Sequence, residues 1–245
     1  MNVQVNTNEK KIGSLNILLN QFPEGFTIEN YKKAVNLLYK NPDKIIKREA
    51  DQFLIEFQKV EAAWDISIEI LKTPYLSEET YFNASQIIKK KIRYDFGNYT
   101  DNQLVIQNLA TFLIEKIIDF KDHKLYLLTS FCQCYALLCV FGHMICPDII
   151  KAVVSKLNNT DIKNLMSLLI IFNFLAEIVN DQDIVVDESA RISFDLFLNN
   201  ISNDVIVFLD YLIKIINDEQ AKNTLIKNDP AMINFFRLLN KNVRN

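Results

Sequence analysis

The sequences Ala63-Trp64-Asp65-Ile66-Ser67 and Ala84-Ser85-Gln86-Ile87-Ile88-Lys89-Lys90-Lys91-Ile92 lie within residues 34–96, the part of the chain that decides its fold. The first places the only tryptophan of the chain at the start of an amphipathic helix. The second places small residues on one side of a helix and basic residues on the other. Helices of this kind need close neighbours on one side and leave a charged side exposed.

The first predicted helix pair follows from apolar residues that recur at steps of three and four. Thr27 is expected to cap a helix that begins at Ile28, with Asn30 at the position where a capping box has Glu or Gln. A turn at 41–43 then leads into a second helix. The residues expected to be buried along it are Ile45, Ile46, Ala50, Phe53, Leu54 and Phe57.

The second predicted pair repeats this layout. Trp64, Ile68 and Leu71 form the apolar stripe of its first helix, which Pro74 ends. A helix with Ser77 at its start is expected to run to about Phe96. Trp64 continues the apolar stripe, so we expect it to be a core residue; its alternative role is an anchor for a partner.

Further helices are predicted along the rest of the chain, so that each pair takes about 40 residues. Only four glycines and five prolines occur in 245 residues, which is too few for the turns of many short strands. The sequence therefore predicts an all-α protein, an α-solenoid of antiparallel helix pairs (HEAT repeats) in a right-handed superhelical arch. The predicted helices cover residues 101–120, 124–144, 147–157, 161–179, 187–199, 204–216 and a set within 219–239.

Charge and cysteine usage restrict the class of protein. The formal net charge is −3, so there is no overall positive field of the kind that attracts nucleic acid. The cysteines all lie at 132–146 in one apolar segment, which favours a reducing compartment over disulfide bonds. We find no glycine-rich phosphate loop, no metal-ligand set and no nucleophile with a matching base. The sequence therefore predicts a binding protein that is not an enzyme, without a catalytic residue, metal or cofactor.

Three groups of residues resemble the amino-terminal region of the importin-β superfamily of nuclear transport receptors, closest to the branch of transportin-SR and importin-13. They are Ala50, Leu54 and Gln58 on one helix, the sequence Ala63 to Ser67, and the sequence Ala84 to Ile92. The resemblance covers residues about 30–157. Asn83, Ser130 and Leu137 depart from the pattern of the branch.

The resemblance implies an organisation into three parts. Residues 1–26 are a polar amino-terminal arm, 27–157 are HEAT repeats 1–4 of the importin amino-terminal type, and 158–245 are further HEAT-type repeats. Members of this superfamily are several times longer than 245 residues. The chain is therefore expected to be an amino-terminal part of a longer receptor.

The resemblance also implies a function. Receptors of this kind bind Ran in its GTP form on the concave side of the first repeats and so release protein cargo, SR-rich cargo in this branch. They pass through the nuclear pore by contacts with FG nucleoporins and shuttle between cytoplasm and nucleus. Direct binding to nucleic acid and a membrane span are not expected.

The candidate Ran-binding residues lie on the free sides of two predicted helices. The free side of the helix 78–96 carries, on or near it, Gln86, Lys89, Lys90 and Arg93. The equivalent free side of the second helix of the first pair carries Lys47 and Asp51. Basic side chains there would meet acidic loops of a small GTPase. The alternative is a solvated charged face, with Lys47 and Asp51 as an ordinary pair four residues apart.

The sequence is also compatible with other kinds of protein. A HEAT or armadillo scaffold for a complex unrelated to transport would show the same helical pattern. Residues 125–147 carry no charge and are long enough to cross a bilayer, although a helix enclosed between repeats is apolar for the same reason. An acidic cluster at 177–188 would fit a basic segment of a partner or be solvated loop charge.

Overall fold

The computed structural model describes residues 25–96, 102–142, 145–157, 161–180 and Lys214. In these residues the secondary structure is entirely helical, which confirms the predicted all-α fold. The helices are α1 (Ile28–Lys40), α2 (Lys44–Phe57), α3 (Ala63–Lys72), α4 (Glu78–Asp95), α5 (Gln103–Asp119), α6 (Leu125–Gly142), α7 (Ile149–Leu157) and α8 (Ile162–Asn180).

Consecutive helices pack as pairs joined by short turns, as in HEAT repeats. Helix α1 packs on α2, α5 on α6, and α7 on α8. Helix α6 also packs on α8, so that the second helices of two successive pairs are neighbours. The described residues fall into two compact units that divide between Lys91 and Ile92.

The start of α1 confirms the predicted cap. The backbone N–H of Asn30 donates to Thr27 Oγ1 at 3.2 Å. Asn30 does not close a capping box; its side-chain amide instead donates to the carbonyl of Gly25 at 2.8 Å. Gly25 has φ +70°, a conformation that glycine adopts without strain. The side chain of Asn30 thus fixes the loop before the helix.

The turn between α1 and α2 is held by its polar side chains. Asn41 Oδ1 accepts from the N–H of Asp43 at 2.9 Å, and Asp43 Oδ1 accepts from the N–H of Ile45 at 2.7 Å. Ile45 was expected in the buried stripe of α2, but 63% of it is exposed. The expectation was wrong because Ile45 lies about 140° around the helix from Ala50, outside the arc of the buried residues.

The turn between α3 and α4 is closed by a tyrosine. Tyr81 on α4 donates its hydroxyl to the carbonyl of Thr73 at 2.8 Å and accepts from the N–H of Leu76 at 3.1 Å. Tyr75 lies between them with φ +62° and a fully exposed side chain. Ser77 Oγ accepts from the N–H of Thr80 at 3.3 Å, which confirms the predicted start of α4.

Helix α6 contacts α5, α7 and α8 and is buried on nearly every side. It is the one helix of the described residues that is long and apolar enough to cross a membrane, and 72% of that window is buried inside the protein. The thiol of Cys132 on α6 donates to the carbonyl of Ser167 on α8 at 3.7 Å. This burial is typical of the core helix of a packed helical protein.

Two ion pairs join the α5–α6 turn to the start of α8. Lys121 pairs with Asp161, and Lys163 Nζ lies 2.5 Å from Asp122 Oδ1. Asp161 Oδ1 also accepts from the backbone N–H of Lys163 at 2.9 Å. These contacts fix the first turn of α8 beside the preceding helix pair.

Several predictions fall outside the described residues. They concern residues 1–24 of the arm, the helices predicted within 187–199, 204–216 and 219–239, and the acidic cluster after Glu177.

Candidate partner-binding surface

Helix α4 buries its small residues and exposes part of its basic side, as its periodicity predicts. Ala84, Ser85, Ile88 and Ile92 have no exposed surface. Phe82 is half-buried. It lies about 120° around the helix from Ile88, at the border of the packed face.

The three consecutive lysines of α4 have three different environments. Lys90 is exposed, Lys89 is half-buried, and Lys91 is buried with 5% of its surface exposed. The burial of Lys91 was not predicted. The sequence does contain a signal for this burial, because Lys91 lies only about 60° around the helix from the buried Ile88. Lys90 is therefore the most exposed of the three.

Lys90 contacts the end of α2. Its Nζ donates to Oε1 of Gln58, which is half-buried at the carboxyl-terminal cap of α2. A carbonyl-rich helix end favours a nearby cation. Gln58 belonged to the sequence resemblance but had no predicted role at the surface. The structure therefore brings together one predicted site residue and one residue that was not predicted.

A second contact fixes the direction of α4. The side-chain amide of Asn83 donates to the hydroxyl of Tyr39 near the end of α1 at 3.1 Å. Asn83 thus lies by the beginning of α2, while Lys90 lies by its end. Helices α2 and α4 consequently run in the same direction, as the second helices of adjacent HEAT repeats do.

Lys47 and Asp51 lie on the same stripe of α2 as Gln58, because four and seven residues are close to one and two helical turns. Asp51 is exposed and Lys47 is half-buried. In the described part of the chain no ion pair joins these two side chains. Neither does a described contact join them to Lys90, whose partner is Gln58.

Another carboxylate of α2 is already engaged by residues close to it in the sequence. Glu56 Oε1 accepts from Gln52 Nε2 at 2.9 Å and from Lys59 Nζ at 2.8 Å. Such exposed pairs contribute little to stability. They do reduce the negative charge that α2 presents beside Gln58.

Two other candidates are half-buried on α4. Gln86 lies one turn before Lys90. Arg93 lies near the carboxyl end of the helix, with its guanidinium 5.4 Å from the ring centre of Tyr94. Tyr94 is 71% exposed, so this stacked pair is at the surface. Arg93 and Tyr94 belong to the second unit, which begins at Ile92.

Trp64 and the four cysteines are enclosed in the protein. Trp64 is 6% exposed, which agrees with its expected place in the core. All four cysteines are buried and unpaired by disulfides. Burial raises the pKa of the Cys132 and Cys139 thiols, so both are protonated at neutral pH. The described residues contain no cluster of three His, Cys, Asp or Glu side chains placed to hold a metal ion.

Comparisons with known proteins show partial similarity to transport receptors. The chain is 32% identical over 111 residues to importin-13 of Homo sapiens, which covers 45% of this chain and 11% of importin-13. It is 32% identical over 84 residues to transportin MOS14 of Arabidopsis thaliana, 34% of this chain and 9% of the transportin. An uncharacterized protein of Schizosaccharomyces pombe is 33% identical over 132 residues, 53% of this chain and 14% of that protein.

No family model matches the chain. The matched regions span only about a tenth of the length of these curated relatives, 9% to 14%. The similarities support a relation to the importin-β superfamily. The names of the relatives are those of transport receptors, in agreement with the expectation of a binding protein that is not an enzyme. Assignment to the transportin-SR and importin-13 branch stays a prediction.

Proposed function

We propose that this chain belongs to a nuclear transport receptor and binds Ran in its GTP form through the exposed side of α2 and α4. The observation that carries the proposal is the similarity to importin-13 and to transportin MOS14. The structure adds a chemical basis, since an exposed ammonium group on α4 lies against an amide at the end of α2. Donors of this kind suit the acidic loops of a small GTPase.

The proposed role is in the import of protein cargo. In such a receptor, Ran and cargo exclude each other, which is a coupling between two binding sites. A stack of helix pairs is suited to this coupling, because each pair contacts only its neighbours and small rotations add along the stack. The receptor would shuttle between cytoplasm and nucleus, with FG nucleoporins as its partners in the pore. Cargo, SR-rich cargo included, would bind largely outside the residues described here.

Charge reversal on α4 tests the proposed surface. Lys90→Glu with Arg93→Glu should weaken binding to Ran loaded with a non-hydrolysable GTP analogue by about tenfold or more, because paired charges across an interface become repulsive. The fold should persist, since Lys90 is exposed and Arg93 half-buried.

The matched control is Lys151→Glu with Lys156→Glu on α7, where both lysines are exposed. This variant changes the net charge equally and should leave the affinity for Ran unchanged. If the α4 variant is folded by circular dichroism and binds Ran as well as the unaltered chain does, this surface is not the Ran site.

A HEAT-type scaffold is the second candidate function. The engagement of Glu56 with Gln52 on α2 and with Lys59 just after that helix favours this function, because such local pairing is typical of a solvated surface. A folded chain that binds neither form of Ran would support this reading.

A further inference from the structure

The contact between Gln58 and Lys90 determines which way the Gln58 amide points. A lysine ammonium has only donors, so the atom of Gln58 that faces it must be the acceptor, Oε1. The Nε2 group, with two N–H donors, then points away from Lys90. It has no hydrogen-bond partner among the residues that the structure describes.

Lys90 has donors to spare as well. One of its three N–H bonds is directed at Gln58, and no other described contact uses the rest. The pair therefore presents N–H groups from two helices at one place. The amide oxygen is directed at Lys90, so the groups left over at this place are mainly donors.

We infer that Gln58 and Lys90 together form a binding site for a carboxylate of an acidic protein segment, with Gln58 also acting as the positioning residue for Lys90. A carboxylate has two acceptor oxygens and so fits a cluster of adjacent donors that includes one positive charge. The inference rests on the proposed function in one respect only, namely that the acidic segment belongs to Ran.

The geometry also explains why a glutamine is suited to this position. An alanine would leave the Lys90 side chain with many rotamers to lose on binding, whereas the contact with Gln58 restricts it beforehand. A glutamate would hold Lys90 more strongly as an ion pair. It would, however, remove both Nε2 donors and place a negative charge beside the incoming carboxylate.

The test uses two probes with the whole chain. The first is Ran loaded with a non-hydrolysable GTP analogue, and the second is a fluorescein-labelled oligo-glutamate peptide measured by anisotropy at low salt. Gln58→Ala and Lys90→Ala should each weaken binding by about tenfold, as expected for the loss of one hydrogen bond to a charged group. Gln58→Glu should weaken binding more than Gln58→Ala does while leaving the thermal midpoint unchanged or higher.

A double-mutant cycle separates this site from two independent contacts. Because Gln58 acts partly through Lys90, the loss in the double alanine variant should be clearly smaller than the product of the two single losses. Gln52→Ala is the matched control, since its amide lies on the same helix and donates to Glu56. It should leave both affinities unchanged.

Each outcome bears on one claim. Peptide binding that depends on Gln58 and Lys90, without binding to Ran, would support the carboxylate site and contradict the proposed function. Ran binding that is insensitive to Gln58, or two losses that multiply without coupling, would overturn the inference and leave the proposed function standing. Displacement of the peptide by inorganic phosphate but not by free glutamate would show a phosphate site instead and would also overturn it.

Discussion

Removing the hydroxyl group from two buried tyrosines of the first unit should destabilise the chain at one position and not at the other. Tyr81 is 7% exposed, and its hydroxyl bonds to the carbonyl of Thr73 and the N–H of Leu76. Tyr31 has no exposed surface, and its hydroxyl has no hydrogen-bond partner among the described residues. The same atom is deleted in Tyr81→Phe and in Tyr31→Phe.

The expected magnitudes follow from these contacts. A hydrogen bond contributes about 1 kcal/mol net, so losing two at Tyr81 should cost about 1–2 kcal/mol, the lower figure reflecting partial access of water to the turn. At Tyr31 the variant removes a buried polar atom without a partner, so stability should be unchanged or rise by up to about 1 kcal/mol. The packing of the Tyr31 ring on Phe57, with ring centres 5.1 Å apart, is retained.

Thermal and urea unfolding would measure the difference. For a chain of this size about 1 kcal/mol shifts the midpoint by about 2–4 °C, so Tyr81→Phe should lower it by about 2–8 °C. Tyr75→Phe is the matched control, because Tyr75 is fully exposed and its hydroxyl is in solvent. The reasoning is refuted if Tyr31→Phe destabilises the chain as much as Tyr81→Phe does.

Two further predictions concern packing and pH. Ala84→Leu should destabilise the chain by about 1–3 kcal/mol through overpacking, because Ala84 has no exposed surface. Tyr94→Leu, on the exposed side of α4, is the control and should be nearly neutral in thermal and urea unfolding. Burial alone would raise the pKa of Asp161, but hydrogen bonds from Lys121 and from the backbone of α8 hold it below its ordinary value. The ionised form therefore stabilises the fold above the ordinary aspartate pKa of about 3.9, and this stabilisation is lost as the pH falls through the lowered value. Asp161→Asn should lower the thermal midpoint at neutral pH and reduce its decline in acid; an unchanged acid profile would contradict the role of this carboxylate.

The helices could be predicted from the sequence because their signals are local. Apolar residues at steps of three and four, together with caps such as Thr27 and Ser77, define both the type and the ends of each element. The helix predicted at 161–179 is observed as Ile162–Asn180. The error at Ile45 arose because an apolar residue in the first turn was assigned to the stripe without regard to its angle around the helix.

The candidate surface was predictable only in part. The basic side of α4 follows from periodicity, and so does the exposure of Lys90. The contact of Lys90 with Gln58 joins residues 32 positions apart, and no local pattern specifies it. The burial of Lys91 was missed for a related reason, since a run of three lysines was treated as one charged side. Packing between helix pairs decides which member of such a run is enclosed.

The central claim is that this chain distinguishes the two nucleotide forms of Ran. The most direct measurement is a titration of the chain with purified Ran loaded either with a non-hydrolysable GTP analogue or with GDP. We predict saturable binding to the GTP form and much weaker binding to the GDP form. Equal binding of the two forms, or none by a chain that circular dichroism shows to be helical and folded, would contradict the claim.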